Sequence, residues 1–148
     1  MKKLLPLFLL LGTVFFLLDA EAQQSQDFGQ YVVHYNALNT NLIPPQVAQS
    51  SNIKRSPSRA LLNITVLKKM MDTPGTPVKA GVSASGTNLT GQRRDIEIRQ
   101  ISDPEAAIYY IGELPVHNME TYNFIIEVEV EGEDEPMVVK FRQQFYTE

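Results

Sequence analysis

The run from residue 58 to residue 70 constrains the fold more than any other stretch of the chain. Its even positions, Ala60, Leu62, Ile64 and Val66, are all apolar. Arg59, Leu61, Asn63, Thr65, Leu67 and Lys69 alternate with them as a mixed set. Successive side chains of a β-strand point to opposite faces. A period of two therefore describes a strand with one face in a core and the other only partly covered. The other strands are expected to pair around it.

The same alternation recurs on both sides of this run. Over residues 31–38, Tyr31, Val33, Tyr35 and Ala37 share one face, and Val32, His34, Asn36 and Leu38 share the other. Pro44 and Pro45 follow and cannot donate to a sheet ladder, so they end that strand. Residues 46–51 are expected to form one helical turn. After residue 71, Asp72-Thr73-Pro74-Gly75-Thr76-Pro77 is a strong turn signal. Residues 78–89, rich in Gly and Ser, read as a strand lying close to another backbone or as an edge strand. Residues 93–101 read as one strand with Ile96 and Ile98 on one face, ended by a turn at residues 102–105, and residues 107–112 as a short one.

The C-terminal hairpin has the clearest pattern. Tyr122, Phe124, Ile126, Val128 and Val130 point inward in its first arm, and Met137, Val139, Phe141 and Phe145 in its second. The outward Glu127 and Glu129 are expected to face Arg142 and Lys140 across the strands and help fix register. About six to eight strands, short turns and no amphipathic helix predict an all-β fold, an immunoglobulin- or fibronectin-like antiparallel sandwich. Tyr122 at the head of a long strand after Leu114-Pro115 also fits a tyrosine corner, in which the hydroxyl bonds back to the preceding loop.

The first residues read as a secretory signal. Lys2 and Lys3 form a charged start, residues 4–18 are apolar apart from Pro6, Gly12 and Thr13, and Ala20-Glu21-Ala22 supplies the small-x-small cleavage pattern. The apolar run is shorter than the ~20 residues a membrane span needs. Cleavage is expected after Ala22, leaving residues 23–148 as a single sandwich domain with no membrane span. No Cys follows the apolar run, which excludes a lipid-anchored lipoprotein. The two-lysine, leucine-rich signal looks bacterial and predicts a periplasmic domain. With no Cys in the chain, its stability must come from pairing and packing without disulfides.

The net charge of -4 is unevenly spread. Residues 23–112 carry 9 Lys and Arg against 6 Asp and Glu, whereas residues 113–148 carry 2 against 9. Such asymmetry fits internal pairing and solubility, and an acidic domain is a poor nucleic-acid partner. Asn63-Ile64-Thr65 and Asn88-Leu89-Thr90 match the glycosylation sequon. In a bacterial periplasm both are chance matches.

Two segments carry a family resemblance: Tyr31-Val32-Val33-His34-Tyr35-Asn36-Ala37 and Arg59-Ala60-Leu61-Leu62-Asn63, with Pro44-Pro45 between them. They resemble the strand, Pro-Pro loop and Arg-Ala-Leu-Leu-Asn segment of the small bacterial exported proteins known as domain-of-unknown-function family 4426. The similarity covers the mature chain. It implies a periplasmic location and one β-rich domain, and it supplies neither a reaction nor catalytic residues.

The residues offer no familiar chemistry. With no Cys and only His34 and His117, a zinc site would need carboxylates from unrelated places. The acidic turn at residues 131–135 lacks the ligand spacing of a calcium loop. Ser83 and Ser85 lack the strand-to-helix elbow of a hydrolase nucleophile. No metal and no cofactor are therefore expected, and the chain does not read as an enzyme.

One polar cluster stands out. If the strand at residues 31–38 pairs with that at 58–70, His34 and Asn36 share a face with Arg59 and Asn63. Arg supplies a planar donor fork, Asn a donor and an acceptor, and His a group that titrates near neutrality. Such a patch suits an anionic or amide-bearing ligand, or a partner's backbone. The competing expectation is a structural network, with Arg59 capping carbonyls and Asn63 satisfying a loop. The functional expectation is a soluble periplasmic binding or accessory module that engages a protein or envelope component, with exposed edges and the Pro44-Pro45 loop as contacts. A small-molecule binder or enzyme using the His34/Arg59 face is the alternative.

Overall fold

A computed structural model describes residues 24–102 and 107–148. The expected signal segment with its cleavage point after Ala22, and the turn at Asp103, Pro104 and Glu105, lie outside the described residues. Two antiparallel sheets pack face to face as a β-sandwich, the arrangement the period-two patterning predicts. The first sheet runs β1 (Gln24–Asp27), β2 (Tyr31–Asn39), β3 (Arg59–Lys68), β8 (Ile108–Pro115), β7 (Arg99–Ser102), and a two-residue β4 (Thr76–Pro77) also pairs with β3. The second runs β10 (Met137–Phe145), β9 (Glu120–Glu129), β5 (Gly81–Asn88), β6 (Arg93–Ile96).

The described residues thus hold ten strands, more than the six to eight expected. The short edge β1 and the two-residue β4 carry no alternation long enough to read. The segment over residues 93–101 is not one strand: β6 belongs to the second sheet and β7 to the first. The chain switches sheets over Gly112, where an added Cβ would stand 2.4 Å from Ile96 Cγ2 and 3.0 Å from the Glu97 carbonyl oxygen. Only a glycine leaves room for that crossing.

β3 sits inside its sheet, as its pattern demands. Its even residues Ala60, Leu62, Ile64 and Val66 are almost completely buried. They face Phe124, Ile126, Val128 and Val139 of the second sheet within one core. Each fully buried Leu, Ile or Val contributes about 1.5–3 kcal/mol by leaving water. Aromatic contacts reinforce the middle of the sandwich, with Phe124 stacked on Phe141 at 4.9 Å and Tyr35 against Phe141 at 4.7 Å.

β5 is a central strand, paired with β9 on one side and β6 on the other, rather than an edge. Its small residues serve close approach: a Cβ on Gly86 would lie 3.1 Å from Tyr122 Cδ1 and 3.2 Å from Phe124 Cε1. Tyr122 is fully buried, and its hydroxyl makes no hydrogen bond to the preceding loop's backbone. It acts as a core aromatic, and no tyrosine corner forms. The expected charge pairs of the C-terminal hairpin do not form either. Register sets Lys140 opposite Ile125, Glu127 opposite Val138, and Arg142 opposite Asn123, whose Oδ1 accepts from Arg142 Nε at 2.8 Å. No helix among the described residues is long and apolar enough to cross a membrane.

Candidate functional site

The odd face of β3 points away from the sandwich, and half of it is roofed. The roof is α1 (Pro45–Ser50), a helix short enough that packing must hold it. Pro45 occupies its first turn, where a missing N–H costs nothing. Asn52 ends it in the left-handed region at φ 52°, and the Ile53 N–H reaches back to the Ala48 carbonyl at 2.7 Å. That closure folds Ile53 under the helix. Ile43, Ala48 and Ile53 then bury against Leu61 and Ile111 as a second, smaller cluster.

Two arginines fasten the roof. Arg99 Nη2 on β7 donates to the carbonyls of Ser51 at 2.6 Å and Asn52 at 3.2 Å. Arg55 Nε donates to the Ile43 carbonyl and its Nη2 to that of Asn41, both at 2.8 Å. Carbonyl capping was expected of Arg59, but these two do it. Arg99 alternates with apolar residues and reads from the sequence as a solvent-facing charge. Its partners are carbonyls nearly fifty residues away in the chain, so no local pattern signals them.

Between roof and sheet runs a half-open groove of about 660 Å³. Val47, Ile53, Leu61, Ile101 and Tyr109 line it with apolar surface, and Asn36 and Asn63 enter its floor. Those two asparagines stand directly opposite each other in the β2–β3 ladder. Asn63 Oδ1 is buried and has no hydrogen-bond partner among the described residues. Leaving a buried acceptor unpaired costs about 1–3 kcal/mol. The lining contains no charged side chain.

The four residues singled out by the sequence are therefore on one face but not in one site. Asn36 and Asn63 meet. His34 stands one pair further along, opposite Thr65, and does not line the groove. Arg59 sits at the far end of β3, where its Nη2 lies 3.4 Å from Glu113 Oε1. A second hollow, of about 700 Å³, follows the acidic β9–β10 turn. Among the described residues no three His, Cys, Asp or Glu side chains cluster as metal ligands would.

A partly buried carboxylate with a shifted pKa lies elsewhere. Burial raises the pKa of Glu120, but hydrogen bonds from Asn88 Nδ2 at 3.1 Å and the His117 N–H at 2.9 Å outweigh it, and the net shift is downward. These contacts tie the start of β9 to the end of β5 and are structural.

Comparison with known proteins agrees with this architecture. The model of the domain of unknown function family DUF4426 matches residues 25–148. The crystal structure of a DUF4426 family protein from Pseudomonas aeruginosa PAO1 is similar at a TM-score of 0.73 and 33% sequence identity, covering 86% of this chain and 97% of that one. No curated protein matches the chain significantly.

Proposed function

The chain belongs to the DUF4426 family, and from that premise we propose that it is a non-enzymatic periplasmic binding module that engages a protein or envelope component through the groove beneath α1. The observation that carries this reading is Asn63, a polar side chain in the lining of an otherwise largely apolar groove, whose carboxamide oxygen is buried and has no hydrogen-bond partner among the described residues. A fold that needed only packing would be served better by an apolar residue there. The non-enzymatic part rests on the lining, which brings no His or carboxylate beside the Ser50, Ser51 and Ser102 hydroxyls. Periplasmic location rests on the signal pattern of residues 1–22.

Site-specific photo-crosslinking in the bacterium tests the reading. A crosslinker at Val47, on the groove rim, is expected to capture a defined partner, and one at Glu127, on the outer face of the second sheet, is expected to capture none. Equal capture at both sites, or none at Val47, would rule the groove out. A small molecule is the second reading, favoured by a volume within the usual range for ligand pockets. It would compete with the Val47 crosslink without itself being retained as protein.

A further inference from the structure

We infer that the partner is an extended, uncharged peptide segment that adds as a strand to the part of the β2 edge that no described strand covers, beside the groove; this rests on the groove reading above. β1 pairs with β2 only from Val32 to Tyr35. Beyond Tyr35 that edge has no strand partner among the described residues. The Phe28 N–H donates to the Tyr31 carbonyl on the β1 side, and the Lys69 N–H to the Gln30 carbonyl on the β3 side. Alternation along a strand then turns the main-chain groups of Ala37 and Asn39 toward that edge.

Both faces beside this edge are hollow. On the outer face, Asn36 and Leu38 open into the groove. On the other side, Ala37 and Asn39 border a hollow of about 280 Å³ that includes Leu42, Phe145 and Tyr146. Leu42 is 65% exposed and Tyr146 58% exposed, large values for apolar side chains at a crevice. Leu38 lines both hollows, so each of them reaches this end of β2. An added strand sends alternate side chains to opposite faces. Main-chain bonds supply its affinity and flanking pockets its sequence preference.

Charge selects the occupant. Neither hollow has a charged side chain in its lining, although 20% of the chain is charged. A charged segment would lose water there and gain no counter-charge. An acyl chain would bring nothing to pair with the Asn36 and Asn63 carboxamides in the lining, whereas a peptide brings both N–H donors and carbonyl acceptors. The long edge of β10 differs: exposed Lys140 and Arg142 stand along it, which is how natural sheets discourage strand addition.

The test uses random peptides displayed on phage, selected against the exported protein purified from the periplasm. Asn39 has φ -65° and ψ 137°, a conformation proline adopts without strain. Asn39→Ala removes the side-chain bonds to the Pro57 and Tyr146 carbonyls but keeps the N–H. Asn39→Pro removes both. The selected peptides are expected to carry alternating apolar and no charged residues. They should bind Asn39→Pro about tenfold more weakly than Asn39→Ala, the loss of one main-chain hydrogen bond. Amide exchange at Ala37 and Asn39 of the unaltered protein should slow when peptide binds, a readout that survives if Asn39→Pro unfolds. No enriched peptide, charged peptides, or equal binding by the two variants overturns the proposal. Equal binding by both variants combined with loss in Asn63→Asp sinks strand addition while leaving the groove reading intact.

Discussion

The two faces of β3 are built from alternate residues of one strand, yet they have different properties. The even face is closed: Ala60, Leu62 and Ile64 have no exposed surface and sit within the main hydrophobic core. The odd face is closed at Leu61, under α1, and opens beyond Asn63. The first is a core that the sandwich cannot fold without. The second is a small apolar cluster with a polar floor, whose roof is held by arginine–carbonyl bonds. The contrast separates residues kept for folding from those free to be kept for binding.

The largest expected effect lies in the core. Phe124→Ala removes a side chain that is 1% exposed and contacts three aromatic rings, and it should cost about 3–5 kcal/mol in a denaturant titration. Leu61→Ala empties the centre of the outer cluster and should cost about 2–3 kcal/mol, near the low end for Leu because the groove lets neighbours relax. If Leu61→Ala costs as much as Phe124→Ala, the outer cluster is a second core and the contrast fails.

Arg99→Ala sharpens the comparison from the roof side. It loses two bonds to carbonyls at the end of α1 and should lower stability by only about 1 kcal/mol. Amide exchange should rise selectively in α1 while the core strands stay protected. Uniform acceleration would mean that roof and core unfold together.

In the second sheet, acid should act through Glu120, away from the groove. The Glu120 carboxyl has a folded-state pKa below its ordinary value of 4.5, so its contribution is fully present above about pH 4.5 and is lost as pH falls through the depressed folded value. Glu120→Gln should flatten that part of the stability–pH profile in thermal melts. An unaltered profile would remove Glu120 from the account.

Much of the sandwich was readable because alternation reports burial directly: the inward sets of β2, β3, β9 and β10 are the buried ones. Three features escaped for physical reasons. The sheet switch at Glu97 and Ile98 depends on Gly112, fourteen residues away from Ile98, whose missing side chain makes the space. The small residues of β5 left a close-packed strand and an edge strand both open; it is the former, because aromatic rings cover Gly86. The hairpin charge pairs assumed a register that puts Glu127 opposite Arg142, and the ladder is offset from it.

The site was half legible. Asn36 and Asn63 fall opposite each other because β2 and β3 pair antiparallel, which two alternating runs can suggest. His34 and Arg59 share the face but lie beyond the groove, since the roof covers only part of it. Nothing in residues 45–50 announces that they fold back over β3, because so short a helix takes its position from Ile43, Ala48 and Ile53 meeting Leu61 and Ile111.

The most direct test of the central claim is Asn63→Val, examined by thermal melting and by capture at a Val47 crosslinker. Removing an unpaired buried carboxamide should leave the melting temperature unchanged or raise it, by up to about 1 kcal/mol of stability, while capture at Val47 falls to background. A lowered melting temperature with undiminished capture would contradict the account, because Asn63 would then serve the fold and not the groove.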